Sequence, residues 1–380
     1  MTDLPLVPYL PDAKLLSAQL VARTKLKTPK IAVVGDFCLD KYLYVYPELE
    51  EVSVETGIAA FQVRAKRLFP GVGGTIASNL RALGAETYCF GVVGEDGEGF
   101  DLVNALKKIG ADVNGIIVSD AIMTGAYVKP MSPALPSNDG KLQSPSEGEW
   151  IEGNRIDLRN PTPVPMELIR QLEQVFLNRI AEFDAVVVSD QFPKGSESVF
   201  SDVFRNFLSD AANNNPNVFF LCDSRFFVND YRNSLVKCNA NELFDAYEVS
   251  KGAEERRETT LNTESETKES ELRRVGEWLA VRNQRPVLVT RGSSGSILIE
   301  INGDKTVATA IPAVPVDPPI DICGAGDATN AGFVFAKALG FSLAESAFLA
   351  GVVSSVTIRQ IGVTGTASVE QILDVLGRLK

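Results

Sequence analysis

The chain has 380 residues, a formal net charge of −12 and no histidine. The acidic balance argues against a general binder of nucleic acid or anionic membranes, although it leaves room for a local nucleotide site. Because histidine is absent, catalytic triads, imidazole bases and metal centres that use this residue are excluded. Chemistry must come from carboxylates, lysine, arginine, hydroxyls, thiols or backbone groups.

The five cysteines are scattered and include no CxxC pair, which favours free thiols in a reducing cytoplasm over a disulfide framework or a zinc site. The N-terminus lacks the basic start and apolar run of a signal peptide. The longest apolar stretch, residues 347–358, is too short and too rich in serine and threonine to span a bilayer. These features predict a soluble cytoplasmic protein.

Residues 1–30 are predicted to form an N-terminal extension with an amphipathic helix near 13–22. From residue 31 onward, short apolar runs alternate with helical patterns. Strands are predicted at 31–34, 87–93, 185–189, 218–222, 235–238, 287–290 and 296–301. Helices are predicted at 76–83, 97–109, 165–181, 197–211, 270–281, 327–339 and 343–358. This alternation indicates an α/β domain over 31–380, with a mostly parallel sheet covered on both faces.

Two regions, 52–68 and 124–157, carry short β-like runs without intervening helices. We interpret them as a small sheet outside the main one, a candidate lid. Residues 132–148 are rich in proline, serine and glycine and are expected to form an exposed loop. Residues 251–269 are nearly free of apolar side chains, which predicts a solvated helix or a disordered insert.

The most informative segment is DICGAGD at 321–327, followed by an apolar helical pattern. Small residues entering a helix leave backbone N–H groups unpaired at the positive end of the helix dipole, and such a turn holds an anion. Asp327 at this position could remove a proton from a hydroxyl while the amides stabilise a transferred phosphoryl group. The alternative is an ordinary helix with Asp327 as its N-cap.

Two further segments suggest a substrate site. GDFCLD at 35–40 places Asp36 and Asp40 after the first predicted strand, where ligands of open α/β sheets gather, although Asp36 could simply cap a turn. PGVGGTIASNLRALG at 70–84 is a glycine-rich loop entering a helix, where Gly71 and Gly73 would let a ligand approach the backbone. A dinucleotide fingerprint would follow the first strand directly, so we exclude a Rossmann dehydrogenase.

Taken in order, these segments resemble the ribokinase-like (pfkB) carbohydrate kinase family. The resemblance also includes NANE at 239–242, which is similar to the family's NxxE element, and TRGSSG at 290–295, which is similar to its TxGxxG nucleotide turn. The residues at 35–40, 155–157, 189–190 and 194–195, together with the form of the motif at 321–327, look closest to the heptose-phosphate kinases of ADP-heptose synthesis. The resemblance implies a three-layer α/β/α fold with a mostly parallel central sheet and a small β-sheet lid.

It also implies roles for individual residues. Asp327 would be the base, and Gly324, Ala325 and Gly326 would form the anion hole. Glu242, with Asn239, would order the water shell of a Mg²⁺ ion bound to ATP, so Glu242 would contact the metal through water. The ATP site would be lined by Thr290, Gly292 and Gly295. The sugar site would be lined by Asp36, Asp40, Gly71, Gly73, Thr75 and Asn79.

Local alternatives remain for some of these residues. Asn239 and Glu242 could be a helix N-cap and its first-turn partner, and 290–295 could be a plain hairpin turn. Thr75 stands where the family usually has a substrate-contacting asparagine, and Asn79 lies one helical turn further on. Cys323 replaces the threonine common in the anion-hole loop. These departures concern the identity of the sugar more than phosphoryl transfer.

The resemblance therefore predicts an ATP- and Mg²⁺-dependent kinase that phosphorylates a hydroxyl of a sugar or sugar phosphate, with no nucleic-acid or membrane partner. Two alternatives stay open on the sequence. One is a catalytically idle sugar or nucleotide sensor of the same fold, and the other is a nucleoside or vitamin kinase. The resemblance also implies a homodimer through the lid, because lid strands with exposed edges commonly pair between subunits in this family.

Overall fold

The computed structural model describes residues 6–133, 150–192, 198–252, 266–303 and 305–379, with the backbone alone at 266–268. Most of the predicted loop at 132–148, the start of the predicted helix at 197–211 and most of the insert at 251–269 lie outside the described residues. Within them, the chain folds around one large sheet and a smaller one.

The large sheet has ten strands in the order β1-β17-β16-β15-β14-β13-β12-β2-β7-β8. These strands are β1 (Leu6–Pro8), β2 (Lys30–Gly35), β7 (Glu86–Gly94), β8 (Asp112–Ser119), β12 (Ala185–Asp190), β13 (Phe219–Ser224), β14 (Leu235–Asn239), β15 (Val287–Thr290), β16 (Ser296–Asn302) and β17 (Lys305–Ile311). All neighbours are parallel except the two pairs that involve β16. The mostly parallel sheet predicted from the sequence is confirmed.

Helices cover both faces of this sheet. They are α1 (Ala13–Leu26), α2 (Gly73–Ala82), α3 (Gly97–Lys108), α4 (Met166–Leu177), α5 (Asp202–Asn214), α6 (Ala240–Ser250), α7 (Glu266–Asn283), α8 (Ala325–Ala338), α9 (Leu343–Thr357) and α10 (Val369–Arg378). One apolar core joins the sheet to α1, α2, α3, α8, α9 and α10, and a second core joins it to α4, α5, α6 and α7. The sheet and the helices on its two faces therefore form a three-layer α/β/α architecture.

The strands are apolar runs because both of their faces are buried. In β2, Ile31 and Val33 point into the first core, whereas Ala32 and Val34 point into the second. The N-terminal residues also join this arrangement, since β1 pairs with β17 and α1 packs on the first core. None of the helices in the described part of the chain combines the length and apolarity needed to cross a bilayer.

A second sheet of five strands stands at the carboxyl ends of the main strands. It contains β3 (Phe37–Val45), β6 (Val63–Val72), β9 (Gly125–Pro133), β10 (Trp150–Glu152) and β11 (Ile156–Leu158). A two-stranded hairpin, β4 (Glu51–Val52) and β5 (Ala59–Ala60), extends from it. We call the five-stranded sheet the lid sheet. The small sheet is thus present, but the sequence analysis did not predict β3, and the end of β6 occupies 70–72, which was predicted as part of the glycine-rich loop.

Candidate active site

The lid sheet and the carboxyl ends of the central strands face the start of α8. Asp36 follows β2, Asp223 lies near the end of β13, and Asn239 ends β14. Because parallel strands end at the same edge of a sheet, their polar residues converge there. The site is built at this edge.

The start of α8 presents unpaired amides. Gly324 is the N-cap in the left-handed region (φ 74°), and no side chain caps the helix. The N–H of Ala325 donates to the carbonyl of Ile322 (3.1 Å). Among the described residues, no acceptor pairs with the N–H groups of Gly324, Gly326 or Asp327. The expected anion hole therefore needs one correction, because the amide of Ala325 is already occupied and that of Asp327 takes its place.

Asp327 is half-buried in the first turn of α8, and no described group donates to its carboxylate. The alternative role as N-cap is wrong, because Gly324 holds that position. Burial raises the pKa of Asp327 to about 7, and the charges of Asp223 and Asp40 add to this effect while Lys237 opposes it. A carboxyl group with no hydrogen-bond partner and a pKa near neutrality has the properties of a general base.

Two residues that the sequence analysis missed lie beside Asp327. Lys237, on β14, is buried, and its Nζ donates to Oδ2 of Asp223 (2.8 Å). Nδ2 of Asn330, on α8, donates to the same oxygen (2.6 Å). A lysine within a buried apolar strand must find a carboxylate, and this mismatch was the signal available in the sequence.

Asn239 and Glu242 form a capping box at the start of α6. The N–H of Asn239 donates to Oε2 of Glu242 (2.8 Å), and the N–H of Glu242 donates to Oδ1 of Asn239 (3.0 Å). The capping alternative is therefore correct as geometry, and Oε1 of Glu242 still accepts from no described group. Burial raises the pKa of Glu242 to about 7, and the charge of Asp223 adds to it.

Two neighbouring carboxylates whose charges repel form a place that favours a cation. No cluster of three or more acidic or thiol side chains suited to a metal occurs within the described residues. Because Asp223 is already paired with Lys237, Glu242 is the carboxylate that fits a cation held mainly by other ligands, such as a hydrated Mg²⁺ bound to phosphates. An all-protein metal cage does not fit this part of the chain.

The segment at 290–295 is a tight turn between β15 and the antiparallel β16, as the hairpin alternative proposed. Gly292 and Gly295 both have positive φ (57° and 79°), and a Cβ on Gly295 would lie 2.2 Å from the carbonyl oxygen of Ile311. Thr290 pairs with Asn239 in the sheet register. The turn thus lies next to the capping box, on the side of the site away from the lid sheet.

On the lid side, Asp40 projects from β3 and is nearly buried. Its Oδ1 lies 3.5 Å from Nζ of Lys129 on β9. A Cβ on Gly71 would lie 2.7 Å from Oδ2 of Asp40, so only glycine leaves room for this carboxylate. Burial raises the pKa of Asp40, whereas Lys129 lowers it. The charge of Asp40 also acts on Asp327, so the two carboxylates lie near each other.

Gly73 and Thr75, at the start of α2, lie between the lid sheet and the start of α8. Gly73 begins α2, and its N–H donates to the carbonyl of Asp36 (3.0 Å). Thr75 is buried, and its Cγ2 would lie 3.3 Å from a Cβ on Gly324. Thr75 thus supports the start of α8 from below.

Two predicted substrate residues need correction. The Asp36 carboxylate is 4% exposed and accepts from the N–H groups of Gln191 (3.0 Å) and Phe192 (3.1 Å) and from the Ser198 hydroxyl. It therefore anchors the segment after β12, and neither the substrate role nor a local turn cap describes it. Asn79 is fully buried, and its Nδ2 donates to the carbonyls of Thr75 and Gly365. Its donors are used inside the fold.

The lid sheet also contributes charged groups that the sequence analysis did not assign to the site. Lys129 donates to the hydroxyl of Tyr42 (3.0 Å) in addition to its ion pair with Asp40. Arg155 forms a bidentate pair with Asp157 (2.6 and 2.9 Å) and stacks over the ring of Tyr127. The contacts of Lys129 with Tyr42 and Asp40 join distant parts of the chain and leave no local pattern in the sequence, whereas Arg155 and Asp157 are only two residues apart.

Comparisons with known proteins show the family of the chain. The sequence model described as pfkB family carbohydrate kinase matches residues 166–370, more than half of the chain. The chain therefore belongs to the pfkB family of carbohydrate kinases.

Among its relatives is the bifunctional protein HldE of Sulfurimonas denitrificans, which is 26% identical over 356 residues. The HldE protein of Trichlorobacter lovleyi is 28% identical over 349 residues. Both alignments cover 91% of this chain but only 64% and 62% of the relatives. The chain thus spans less than two thirds of their length.

Solved structures share the fold at low sequence identity. Phosphofructokinase-2 from Escherichia coli, in complex with potassium, superposes with a TM-score of 0.67 at 17% identity, covering 92% of this chain and 99% of that one. Arabidopsis thaliana ribokinase, complexed with ribose and ATP, gives a TM-score of 0.62 at 18% identity, covering 93% and 100%. These likenesses confirm the ribokinase-like fold that the sequence motifs implied.

Proposed function

We propose that this chain transfers the γ-phosphoryl group of ATP to a hydroxyl of a sugar or sugar phosphate, with Asp327 as the general base. The observation that carries the proposal is the position of Asp327. Its carboxylate has no hydrogen-bond partner among the described residues, and it lies in the turn whose amides are unpaired. Family membership supports the same reaction class, and the idle-sensor and nucleoside-kinase alternatives gain no specific observation.

In this reaction Asp327 accepts the hydroxyl proton as the acceptor oxygen forms a bond to the γ-phosphorus. The bond from that phosphorus to the β–γ bridging oxygen breaks, and ADP leaves with its electron pair. The amides of Gly324, Gly326 and Asp327 would donate to the phosphoryl oxygens while charge spreads over them. Positioning and charge stabilisation are the main requirements of such a transfer.

The residues present fit a magnesium ion held through water and phosphate. Glu242 keeps Oε1 unpaired among the described groups, and Asn239 holds the other carboxylate oxygen in place. Bound to the phosphates, Mg²⁺ would neutralise part of their charge and orient the γ-phosphoryl group. Thr290, Gly292 and Gly295 would border the same nucleotide, and Thr290 lies beside Asn239 in the sheet.

The acceptor would lie between Asp40 and Asp327. A carboxylate such as that of Asp40 can accept from two adjacent hydroxyls, and Gly71 allows the substrate to approach the strand backbone. Lys129 and Arg155 on the lid sheet supply cations at the edge of this space, which supports an acceptor that already carries a phosphate. An ADP-release assay with both free sugars and sugar phosphates distinguishes the two acceptor classes.

The direct test is a coupled ADP-release assay with the purified chain, ATP and Mg²⁺. The panel includes pentoses, hexoses and heptoses, their monophosphates, nucleosides and vitamin alcohols. We expect sugar-dependent ADP release from at least one sugar or sugar phosphate. Release that depends only on a nucleoside or vitamin would support the other kinase class. No release above the acceptor-free rate, with nucleotide binding retained, would support the idle-sensor alternative.

The pKa of Asp327 predicts the pH dependence. The base works in its ionised form, and a pKa of about 7 leaves only a minority of molecules ionised below neutrality. We expect kcat/KM, which reports the free enzyme, to rise through an acid limb near pH 7 and to fall about tenfold per pH unit below it. If the acid limb of the kcat/KM profile, measured with the best acceptor, is centred near the ordinary pKa of aspartate, the environment described for Asp327 is contradicted.

We infer that the lid supports a homodimer. The hairpin β4–β5 and its flanks expose an apolar patch formed by Val52, Val54, Ile58 and Phe61, each more than 60% exposed. An exposed patch of this kind favours association, and a second copy presents the same patch. We expect Phe61→Asp to lower the self-association constant at least about tenfold in sedimentation equilibrium, the loss of a buried aromatic anchor.

The matched control for this variant is Val203→Asp, which places the same charge on an exposed apolar position of α5. It should leave association unchanged. A wild-type chain that sediments as a monomer at high concentration, or an equal effect of both variants, would argue against the lid as the interface.

We also infer a reducing, cytoplasmic setting. All five cysteines are unpaired, and four of them are buried. Mass spectrometry of the protein from its native cells, after alkylation without a reductant, should find these thiols unmodified by disulfides. A disulfide at any of them would contradict the inference.

A further inference from the structure

Lys237 is a charged residue in an unusual place, inside a buried strand and directly below the start of α8. Its side chain is 8% exposed. A Cβ added to Gly326 would lie 3.2 Å from its Nζ. The ammonium group therefore lies beside the same helix turn whose amides are unpaired.

The position of Lys237 is fixed by groups on two other elements. Oδ2 of Asp223, on β13, accepts from Nζ at 2.8 Å, and Asn330, on α8, donates to the same oxygen. Burial alone would lower the pKa of Lys237, but Asp223 and Glu242 raise it above its ordinary value, so the lysine stays charged.

The ammonium group has spare hydrogen-bonding capacity. It carries three N–H donors, and Asp223 is the acceptor that the described residues offer. A buried cation with unused donors beside an anion-binding turn can stabilise charge on a bound oxyanion more strongly than a solvated one. The flexible stem of lysine permits this contact while the ion pair with Asp223 is kept.

We propose that Lys237 donates to the oxygens of the transferred phosphoryl group from beneath Gly326, with Asp223 and Asn330 as its positioning residues. The inference rests on the proposed kinase function and assigns a further catalytic residue to it. Lys237 keeps its proton throughout, so proton transfer to Asp327 and loss of ADP are unchanged. The side chain adds a fixed positive charge where negative charge spreads during transfer.

The competing explanation is structural: Lys237 could serve only to neutralise Asp223. A double-mutant cycle separates the two, because Asp223→Asn removes the charge that a structural lysine would neutralise. In that background, Lys237→Met should cost nothing if the pair is structural. If Lys237 acts on the phosphoryl group, the substitution should still lower kcat by about 10²–10³-fold, the usual loss for one donor to a developing oxyanion.

Measuring kcat at about pH 9 keeps Asp327 ionised in all variants, so a shifted pKa does not contribute. This matters because Asp223, Asp40 and Lys237 all act on the charge of Asp327. Thermal unfolding of each variant gives the structural effect separately. The single variant Lys237→Met should lose stability, because it leaves Asp223 buried without its cation.

A second readout needs no acceptor and no turnover. Isothermal titration calorimetry compares a non-hydrolysable ATP analogue with ADP, both with Mg²⁺, in the Asp223→Asn chain with and without Lys237→Met. We expect the analogue to lose at least about tenfold in affinity and ADP to lose little, since a charge-assisted hydrogen bond to the γ-phosphate is worth at least this factor.

The proposal is overturned if Lys237→Met, in the Asp223→Asn background, leaves both kcat and the ratio of the two affinities unchanged within about twofold, an energy near RT. The calorimetric titrations also distinguish a failure of the Lys237 proposal from a failure of the proposed kinase function. A wild-type chain that phosphorylates no acceptor, yet prefers the analogue over ADP through Lys237, would refute the function and retain the contact.

Discussion

Replacing Asp327 by asparagine is expected to lower kcat by about 10²–10⁴-fold, the usual contribution of a positioned general base. The amide is similar in size but cannot accept the hydroxyl proton. The N–H groups at the start of α8 stay in place, so affinity for a non-hydrolysable ATP analogue should change little. Coupled ADP release measures kcat, and calorimetry measures binding.

The control for this variant is Asp374→Asn, which removes an exposed carboxylate paired with Arg378 on α10. It should leave both kcat and nucleotide affinity unchanged. An Asp327→Asn enzyme within a few-fold of the wild type would contradict the role of Asp327. A loss of nucleotide binding equal to the loss of kcat would show instead that the substitution disturbs the turn.

The position of the anion-binding turn was predictable because its signal is local. Two glycines and an alanine before an apolar helix predict unpaired amides wherever the chain folds this way. Which amides remain unpaired was not predictable, because the N–H of Ala325 turns back to the carbonyl of Ile322. That bond depends on the conformation of the preceding loop, which the residue types leave open.

Asp36 and Asp40 show a second limit of predicting the site from the sequence. Both are carboxylates that follow the first strand, and the sequence gives them equal claims to a substrate role. The difference is set by Ser198, whose hydroxyl donates to Asp36 from 162 positions away, and by Lys129, which approaches Asp40 from β9. Pairings across such separations are decided by the tertiary fold and leave no periodicity to read.

Some missed features did carry local signals. The helix α10 begins with a capping box between Ser368 and Gln371, a pattern that predicts a helix start. Lys237 interrupts an apolar strand, which indicates a buried ion pair even though its partner cannot be named from sequence. The strand β3 was not predicted because its first residues belong to the motif at 35–40. That motif was interpreted as part of a substrate site, and no strand was assigned to it.

The geometry of the turn at the start of α8 leads to the second large effect. We expect Gly324→Ala to lower kcat by about 10²–10³-fold, the loss typical of removing one donor to a developing oxyanion. Gly324 has a φ of 74°, and its Cβ would lie 2.8 Å from Cγ2 of Thr364 and 3.3 Å from Cγ2 of Thr75. The turn must shift to relieve these contacts, which moves the unpaired amides away from the phosphoryl group.

The other end of the same helix supplies a matched control. Gly340 follows α8 with a φ of 86°, and the nearest atom to its Cβ would be 3.7 Å away, in the side chain of Arg23. Gly340→Ala should therefore lose about 1–2 kcal/mol of stability from backbone strain alone and keep its kcat. If both variants lose stability and kcat in parallel, the effect at Gly324 is general destabilisation. If only Gly324→Ala loses kcat, after correction for the folded fraction, the turn itself is required for transfer, because both substitutions impose the same left-handed strain on one helix.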